Sequence, residues 1–162
     1  MSIVKVHDKT FRPFISGDAI AARISELGKQ ISADYEGLNP LFIAVLNGSF
    51  VFAADLFREL SIEAEISFIK LASYKGTSST GNVVTAIGME EKLQGRHIVL
   101  LEDIIDTGKT LSSFLPEIQG RQPASLKIAS FLSKPTALQY PVHADYIGFE
   151  VPDKFVLGYG LD

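Results

Sequence analysis

Residues 99–111, VLLEDIIDTGKTL, constrain the fold of this chain more than any other stretch. An apolar run passes through three acids and directly into a Thr-Gly-Lys-Thr turn and a short amphipathic segment, which is the order strand, loop, helix. A strand that leads straight into a helix is half of a strand–helix–strand unit, whose strands are parallel. The stretch therefore predicts an α/β fold, with its polar turn at the carboxyl end of a strand, where such sheets bind ligands.

The rest of the chain repeats this alternation of apolar runs and amphipathic segments. Helices are predicted over residues 16–37, 49–60 and 109–115, the first capped by Ser16 and the last ended by Pro116. Strands are predicted over residues 41–46, 64–71, 83–87, 97–101, 125–132 and 145–149. Residues 74–82, YKGTSSTGN, have no aliphatic side chain and predict a mobile loop. We expect one domain over residues 1–162, with a mostly parallel twisted sheet flanked by helices.

Composition excludes several classes of protein. Apolar residues make up 46% of the chain, as in ordinary globular proteins, and the absence of cysteine excludes disulfides and thiolate metal sites. The first residues have no apolar core of a secretory signal, and the run LFIAVL is too short to span a membrane. A net charge of −4 argues against nucleic acid as the main partner. We expect a cytoplasmic protein that acts on neither membranes nor nucleic acids.

The turn at residues 107–110 is suited to bind phosphate. Backbone N–H groups at a helix N-terminus lack intrahelical partners, and Gly108 allows a ligand to approach the backbone closely. A P-loop would need glycine five residues before Gly108, but that position is Asp103. The sequence therefore disfavours a P-loop NTPase.

The acids before the turn further restrict the class of ligand that the site could bind. Glu102 and Asp103 would repel a lone phosphate, but carboxylates accept hydrogen bonds from sugar hydroxyls and are ligands that Mg²⁺ prefers. A sugar phosphate with neighbouring hydroxyl groups satisfies both halves of the stretch. The alternative is an ordinary strand–turn–helix with a polar turn and no ligand.

Residues 99–111 resemble the phosphoribosyl-diphosphate-binding motif of type I phosphoribosyltransferases. Other segments resemble the hypoxanthine-guanine branch of that family, and these are residues 46–49, 73–74, 79–81, 133–135 and 148–159. The resemblance, which extends over about residues 40 to 162, implies the type I phosphoribosyltransferase fold with a small hood formed by terminal segments. It also implies a homodimer or homotetramer and a chain that in relatives continues past the position of Asp162, with an arginine near the pyrophosphate.

The resemblance implies purine salvage. A 6-oxopurine, hypoxanthine and also guanine, would displace pyrophosphate from phosphoribosyl diphosphate in a Mg²⁺-dependent reaction through an oxocarbenium-like transition state. A xanthine- or pyrimidine-specific transferase is the nearer alternative. A regulator that binds RNA or DNA on the same fold is the more distant one, and 15 basic against 19 acidic residues disfavour it.

The resemblance also assigns roles around the ribose. Residues assigned to the phosphoribosyl group lie together in the chain: Glu102, Asp103, Asp106, Thr107, Gly108, Lys109 and Thr110. The last five would hold the 5′-phosphate, and the first two would accept from the ribose hydroxyls directly or through metal-bound water. Asp106 would be the general base facing the purine N7. Asp162 would bind Mg²⁺, with Glu102 and Asp103 as further metal-site residues.

The purine would be read by residues far from that motif. Lys134 would donate to the purine O6 and so disfavour adenine, because lysine has donors only. Phe155 would stack on the ring, and the Val156 backbone would read its exocyclic edge. The neighbouring Asp153 and Lys154 are interpreted as a surface ion pair of little energetic value.

Pyrophosphate would be bound by two further segments. The turn at Asn47 and Gly48 would offer backbone N–H groups and hold a cis peptide after Leu46, although many relatives have lysine or arginine in place of Asn47. Ser73 and Tyr74 would contact pyrophosphate, and the loop over residues 74–82 would close on the site.

Overall fold

The computed structural model describes residues 2–75 and 82–161, with the backbone alone at 73–75 and 82–87. The elements in chain order are β1 (Val4–Val6), β2 (Lys9–Phe11), α1 (Gly17–Asp34), β3 (Leu41–Leu46), α2 (Phe50–Arg58), β4 (Glu65–Lys75), β5 (Asn82–Ile87), β6 (His97–Ile105), α3 (Lys109–Gly120), β7 (Ser125–Ser133) and β8 (Tyr146–Glu150). Most predicted bounds lie within two residues of these, which is the usual uncertainty of an element's end.

The main sheet has the strand order β5-β4-β3-β6-β7-β8. All neighbouring pairs are parallel except β4 and β5, so the prediction of a mostly parallel sheet in an α/β fold is confirmed. From β3 the chain crosses through α2 to β4 on one side, whereas from β6 it crosses through α3 to β7 on the other side. The carboxyl ends of β3 and β6 therefore flank the switch point of the sheet, where a crevice forms.

The sheet is buried on both faces, which explains the continuous apolar run of β3. Phe42 and Ala44 pack in one core with residues of α1 and α2, and Leu41, Ile43 and Val45 pack in a second core with residues of α3. Successive side chains of a strand point to opposite faces, so neither face of β3 can be polar.

The first helix begins as predicted and ends earlier. Ser16 caps α1, because its hydroxyl accepts from the Ala19 backbone N–H at 3.1 Å. The prediction that this helix continues to Gly37 is wrong. The chain turns after Asp34, Gly37 has a left-handed φ of 75°, and the Leu38 N–H donates to Tyr35. Only a turn here lets the chain reverse toward β3.

Pro116 does not end α3, contrary to the prediction. The helix continues to Gly120 with the proline in its interior. Phe114 and Ile118, on either side of the proline, are fully buried against the sheet. Burial of these side chains offsets the single backbone hydrogen bond that proline removes.

Two strands are longer than predicted. β6 continues to Ile105, because β7 pairs with it up to Ser133, so Glu102 and Asp103 lie within the strand. β4 continues to Lys75 and pairs with β5, so Tyr74 and Asn82 lie in strands and not in the predicted loop. The remainder of that loop, residues 76–81, lies outside the described residues.

The hood is formed by terminal segments, as expected. A hairpin of β1 and β2 packs against residues after β8, with the ring centroids of Phe11 and Phe155 6.0 Å apart. Among the described residues, no helix is long and apolar enough to cross a membrane.

Candidate functional site

The acids and the Thr-Gly-Lys-Thr turn line one cavity of about 320 Å³ at the switch point. It is bounded by the ends of β3 and β6, the start of α3 and one residue of β4. The lining residues are Val45, Leu46, Leu71, Glu102, Asp103, Ile104, Ile105, Asp106, Thr107, Gly108, Lys109, Thr110 and Leu111. All seven residues predicted to bind the phosphoribosyl group are therefore brought together.

Gly108 shapes the turn at the start of α3. It caps the helix with a φ of 85°, a left-handed conformation that side chains disfavour. A β-carbon at this position would lie 3.0 Å from Leu138 Cδ1 and 3.2 Å from Val142 Cγ2. Only glycine combines this backbone conformation with this close packing, which leaves the N–H groups of the first helical turn facing the cavity mouth.

A segment that the sequence analysis did not assign supports the same turn from behind. The Thr107 carbonyl accepts from the backbone N–H groups of Gln139 and Tyr140, at 2.9 and 3.1 Å. The Thr107 hydroxyl also accepts from Lys109 N–H at 3.3 Å. These bonds fix the turn before any ligand arrives. No sequence signal near residue 139 indicates this role, because it depends on how the chain returns from β7.

The two acids of β6 each use one oxygen within the protein. Asp103 Oδ1 accepts from the Ile104 N–H at 2.8 Å, and Glu102 Oε1 accepts from the Asp103 N–H at 3.3 Å. Burial raises the pKa of Glu102 well above its usual value, and the neighbouring Asp103 raises it further. Both residues line the cavity, where carboxylate oxygens can accept from a hydroxyl group or bind a cation.

These two carboxylates could supply some, but not all, of the ligands of a magnesium ion. Within residues 2–75 and 82–161, no group of three or more histidine or acidic side chains could hold a metal ion. Mg²⁺ is often held by one or two carboxylates, with substrate phosphates and water completing its shell. Glu102 and Asp103 offer that donor set, whereas the predicted metal residue Asp162 lies outside the described residues.

The turn after β3 lies against the same acids. The peptide between Leu46 and Asn47 is cis, as the resemblance implied. A methyl group on Gly48 would overlap the Asp103 carboxylate, so only glycine allows the turn to approach β6 this closely. Ser49 is buried and donates its hydroxyl to the Val45 carbonyl at 2.6 Å, which holds the turn onto the strand.

Lys134 reaches the site from the end of β7. It is 7% exposed, and its Nζ lies 3.5 Å from Asp106 Oδ2 and 3.8 Å from Asp153 Oδ1. The ion pair of Asp153 within the described residues is thus with Lys134, and the interpretation of Asp153 and Lys154 as a surface pair is wrong. Sequence reasoning missed this contact because it joins the ends of two strands.

Phe155 and Val156 do not line the cavity of the acids. They line a second, largely apolar cavity of about 790 Å³ beneath the N-terminal hairpin. Phe155 is 63% exposed, with Lys9 Nζ 4.6 Å from its ring centroid. Ser73 and Tyr74 lie in β4 near its carboxyl end, where the backbone alone is described.

Comparisons with known proteins agree with this geometry. Residues 16–162 match the family model described as a phosphoribosyl transferase domain. Over 156 residues the chain is 40% identical to the hypoxanthine phosphoribosyltransferase of Buchnera aphidicola, covering 94% of this chain and 88% of that protein. It is 39% identical over 158 residues to the bifunctional protein TilS/HprT of Listeria innocua, covering 97% of this chain but only 24% of that protein.

A solved structure is similar to this chain in both fold and sequence. A hypoxanthine-guanine phosphoribosyltransferase from Bacillus anthracis superposes with a TM-score of 0.83 at 37% identity, covering 92% of this chain and 87% of that one.

Proposed function

Because the chain belongs to the phosphoribosyl transferase family, we propose that it transfers the 5-phosphoribosyl group of phosphoribosyl diphosphate to hypoxanthine. Guanine is the expected second substrate, and the products are IMP or GMP and pyrophosphate. Relatives that are about 40% identical over most of the chain carry the names of hypoxanthine and hypoxanthine-guanine phosphoribosyltransferases.

One observation carries the proposal. Asp106 belongs both to the phosphate-binding turn and, at 3.5 Å, to the surroundings of Lys134. A group that binds sugar phosphate and a group that can read a purine carbonyl therefore meet at one carboxylate.

The ribose and its phosphate would be held by the cavity at the switch point. The turn at residues 106–110 binds the 5′-phosphate through backbone N–H groups and threonine hydroxyls. Glu102 and Asp103 accept from the 2′- and 3′-hydroxyls, and their negative charge favours the positive charge that develops on the ribose. The backbone of Asn47 and Gly48 faces the departing pyrophosphate.

The base would be held on the other side of Asp106. Asp106 takes or shares the proton at the purine N7 as the new bond to C1′ forms. Lys134 donates to O6, Phe155 stacks on the ring, and the Val156 backbone reads the exocyclic edge. Phe155 packs beside Phe11 of the N-terminal hairpin, and Asp153, two residues before it, contacts Lys134.

The remaining assignments are carried by the resemblance. Mg²⁺, held by Glu102, Asp103, Asp162 and substrate oxygens, would offset the charge of the pyrophosphate. Ser73 and Tyr74 would contact pyrophosphate. A single domain over residues 1–162, a homodimer or homotetramer and a cytoplasmic location also belong to the proposal.

The test offers hypoxanthine, guanine, xanthine, adenine and uracil in turn, with phosphoribosyl diphosphate and Mg²⁺, and follows nucleotide formation by ultraviolet absorbance. We expect turnover with hypoxanthine and guanine and little with adenine or uracil. If neither hypoxanthine nor guanine is converted, the proposal is wrong. Turnover of xanthine or uracil alone would support the nearer alternative.

A further inference from the structure

The ammonium group of Lys134 lies between two carboxylates from different parts of the fold. Asp106, after β6, is 3.5 Å away, and Asp153, after β8, is 3.8 Å away. In the described part of the chain these are the carboxylates within 4.0 Å of Nζ. A lysine that is 7% exposed needs such partners, because an isolated charge is costly to bury.

The positions of Lys134 and Asp153 are set by the backbone. Lys134 N–H donates to the Ile105 carbonyl at 2.9 Å, which ties the residue to the end of β6. Val151 N–H donates to the Ser133 carbonyl at 2.9 Å, so the segment after β8 starts beside Lys134. Lys154 N–H then donates to the Pro152 carbonyl at 2.7 Å, with Asp153 at the centre of that tight turn. The contact between Lys134 and Asp153 is therefore built by two adjacent strand ends.

Asp106 is proposed as the general base at N7, but it is also an ion-pair partner of Lys134. A second carboxylate allows these two roles to be separated. Asp106 has to face N7 as the base, whereas Lys134 has to face O6 as the donor. With Asp106 as the sole partner, Lys134 would be drawn away from the purine O6. Asp153 lies outside the base chemistry, so it can hold Lys134 without this cost.

We propose that Asp153 is a positioning residue for Lys134, which holds the ammonium group toward the purine O6 and leaves Asp106 free to act at N7. This inference rests on the proposed function. Asp153 touches no reacting atom and acts through Lys134. Because it precedes Phe155 by two residues, it also joins recognition of O6 to the segment that would stack on the ring.

The test compares affinities for IMP and AMP, measured by isothermal titration calorimetry, in Asp153→Asn and the unchanged chain. AMP has an amino group in place of O6, so Lys134 has nothing to donate to. We expect Asp153→Asn to weaken IMP binding by roughly tenfold or more. The reason is that Lys134 would no longer be held where it donates a charge-assisted hydrogen bond to the purine O6. We expect AMP binding to change less than about twofold. Asp153→Glu should recover most of the affinity for IMP.

Two controls separate positioning from general effects. Glu150→Gln removes one negative charge from the exposed end of β8, which precedes Asp153, and should leave both affinities unchanged. In a Lys134→Gln background, Asp153→Asn should have no further effect on IMP, because the two residues act as a unit.

Equal weakening of IMP and AMP, or no change in either, would overturn the inference. Failure of the unchanged chain to convert either hypoxanthine or guanine would refute the proposed function separately, while the two affinities would still decide the role of Asp153.

Discussion

At the scale of single residues, Asp106 and Glu102 are both acids of one cavity, but they differ in exposure. Asp106 has a half-exposed side chain that reaches Lys134. Glu102 is buried within β6. Under the proposed function, Asp106 exchanges a proton with the purine and Glu102 accepts from a ribose hydroxyl group.

Replacing Asp106 tests the general base. We expect Asp106→Asn to lower kcat by ~10²–10⁴, because the amide cannot accept the proton of N7. The affinity for IMP should change by less than about threefold, since phosphate recognition uses the backbone of the turn. Steady-state kinetics and calorimetry together check this. Equal losses in kcat and IMP affinity would contradict the role.

Replacing Glu102 tests whether a binding group is kept at the expense of stability. Glu102→Gln should raise the free energy of unfolding of the ligand-free protein by about 1–2 kcal/mol at pH 7, because a buried amide is less costly than a buried carboxylate beside Asp103. The same change should raise KM for phosphoribosyl diphosphate. Urea denaturation is the measurement, with Glu90→Gln as an exposed control. A less stable variant would show that the carboxylate is satisfied in the free protein.

At the scale of elements, the glycines at the two ends of α3 differ in whether a side chain would fit. Gly108 has a left-handed φ and close neighbours, whereas a β-carbon at Gly120 would meet nothing within 4 Å. One helix therefore offers the same substitution in a strained and in an open position.

Gly108→Ala should destabilise the protein by about 1–3 kcal/mol, since it combines an unfavourable φ with contacts to Leu138 and Val142. It should also raise KM for phosphoribosyl diphosphate, because the turn must shift. Gly120→Ala should instead be neutral or stabilise by up to about 1 kcal/mol. Thermal denaturation of both variants checks this. A loss at Gly120 that equals the loss at Gly108 would exclude the conformational explanation.

Elements could be predicted from the sequence where their signals are local. The run 41–46 and the Ser16 cap were placed correctly, because burial and capping act within a few residues. The end of α3 was not, because the packing of Ile118 on the sheet outweighs a proline. The ends of β4 and β6 depend on partner strands that local patterns do not specify.

The candidate site divides in the same way. Residues 102–110 are contiguous, so their convergence followed from one strand–turn–helix pattern. The contact between Lys134 and Asp153 and the support of Thr107 by residues 139 and 140 depend on the return path of the chain. Such contacts follow from tertiary structure and have no local signature.

At the scale of the whole molecule, buried and half-buried tyrosines join the helices to the sheet and the hood. Tyr146 donates to Asp34 of α1, and Tyr159 of the hood donates to Asp55 of α2, both at 2.5 Å. Tyr35, after α1, is 2% exposed, and its hydroxyl has no hydrogen-bond partner among the described residues. Burial raises the pKa of all three phenols, and nearby aspartates raise it further.

This predicts a loss of stability in alkali. Burial, with the charges of Asp145 and Asp34, raises the pKa of Tyr35 from 10.0 to about 12. Between these values the unfolded chain has lost a proton that the folded protein keeps, so stability is full below pH 10 and falls as pH rises toward 12. Tyr35→Phe should make this fall shallower.

Denaturation curves recorded from pH 9 to 12 measure the effect. The control is Tyr140→Phe at an exposed position, which should keep the slope of the unchanged chain. A Tyr35→Phe variant with that same slope would show that the phenol does not titrate between the two values.

The strand order separates the residues proposed to bind the sugar phosphate from those proposed to bind the base. Under the proposed function, the sugar phosphate is recognised by one short segment across β6 and α3, and the base by residues that follow β7 and β8. The two sets of residues contact each other through Lys134, which lies between the two aspartates. Preference among bases can thus diverge by substitutions in residues 134 and 153–156, while the donor substrate stays the same.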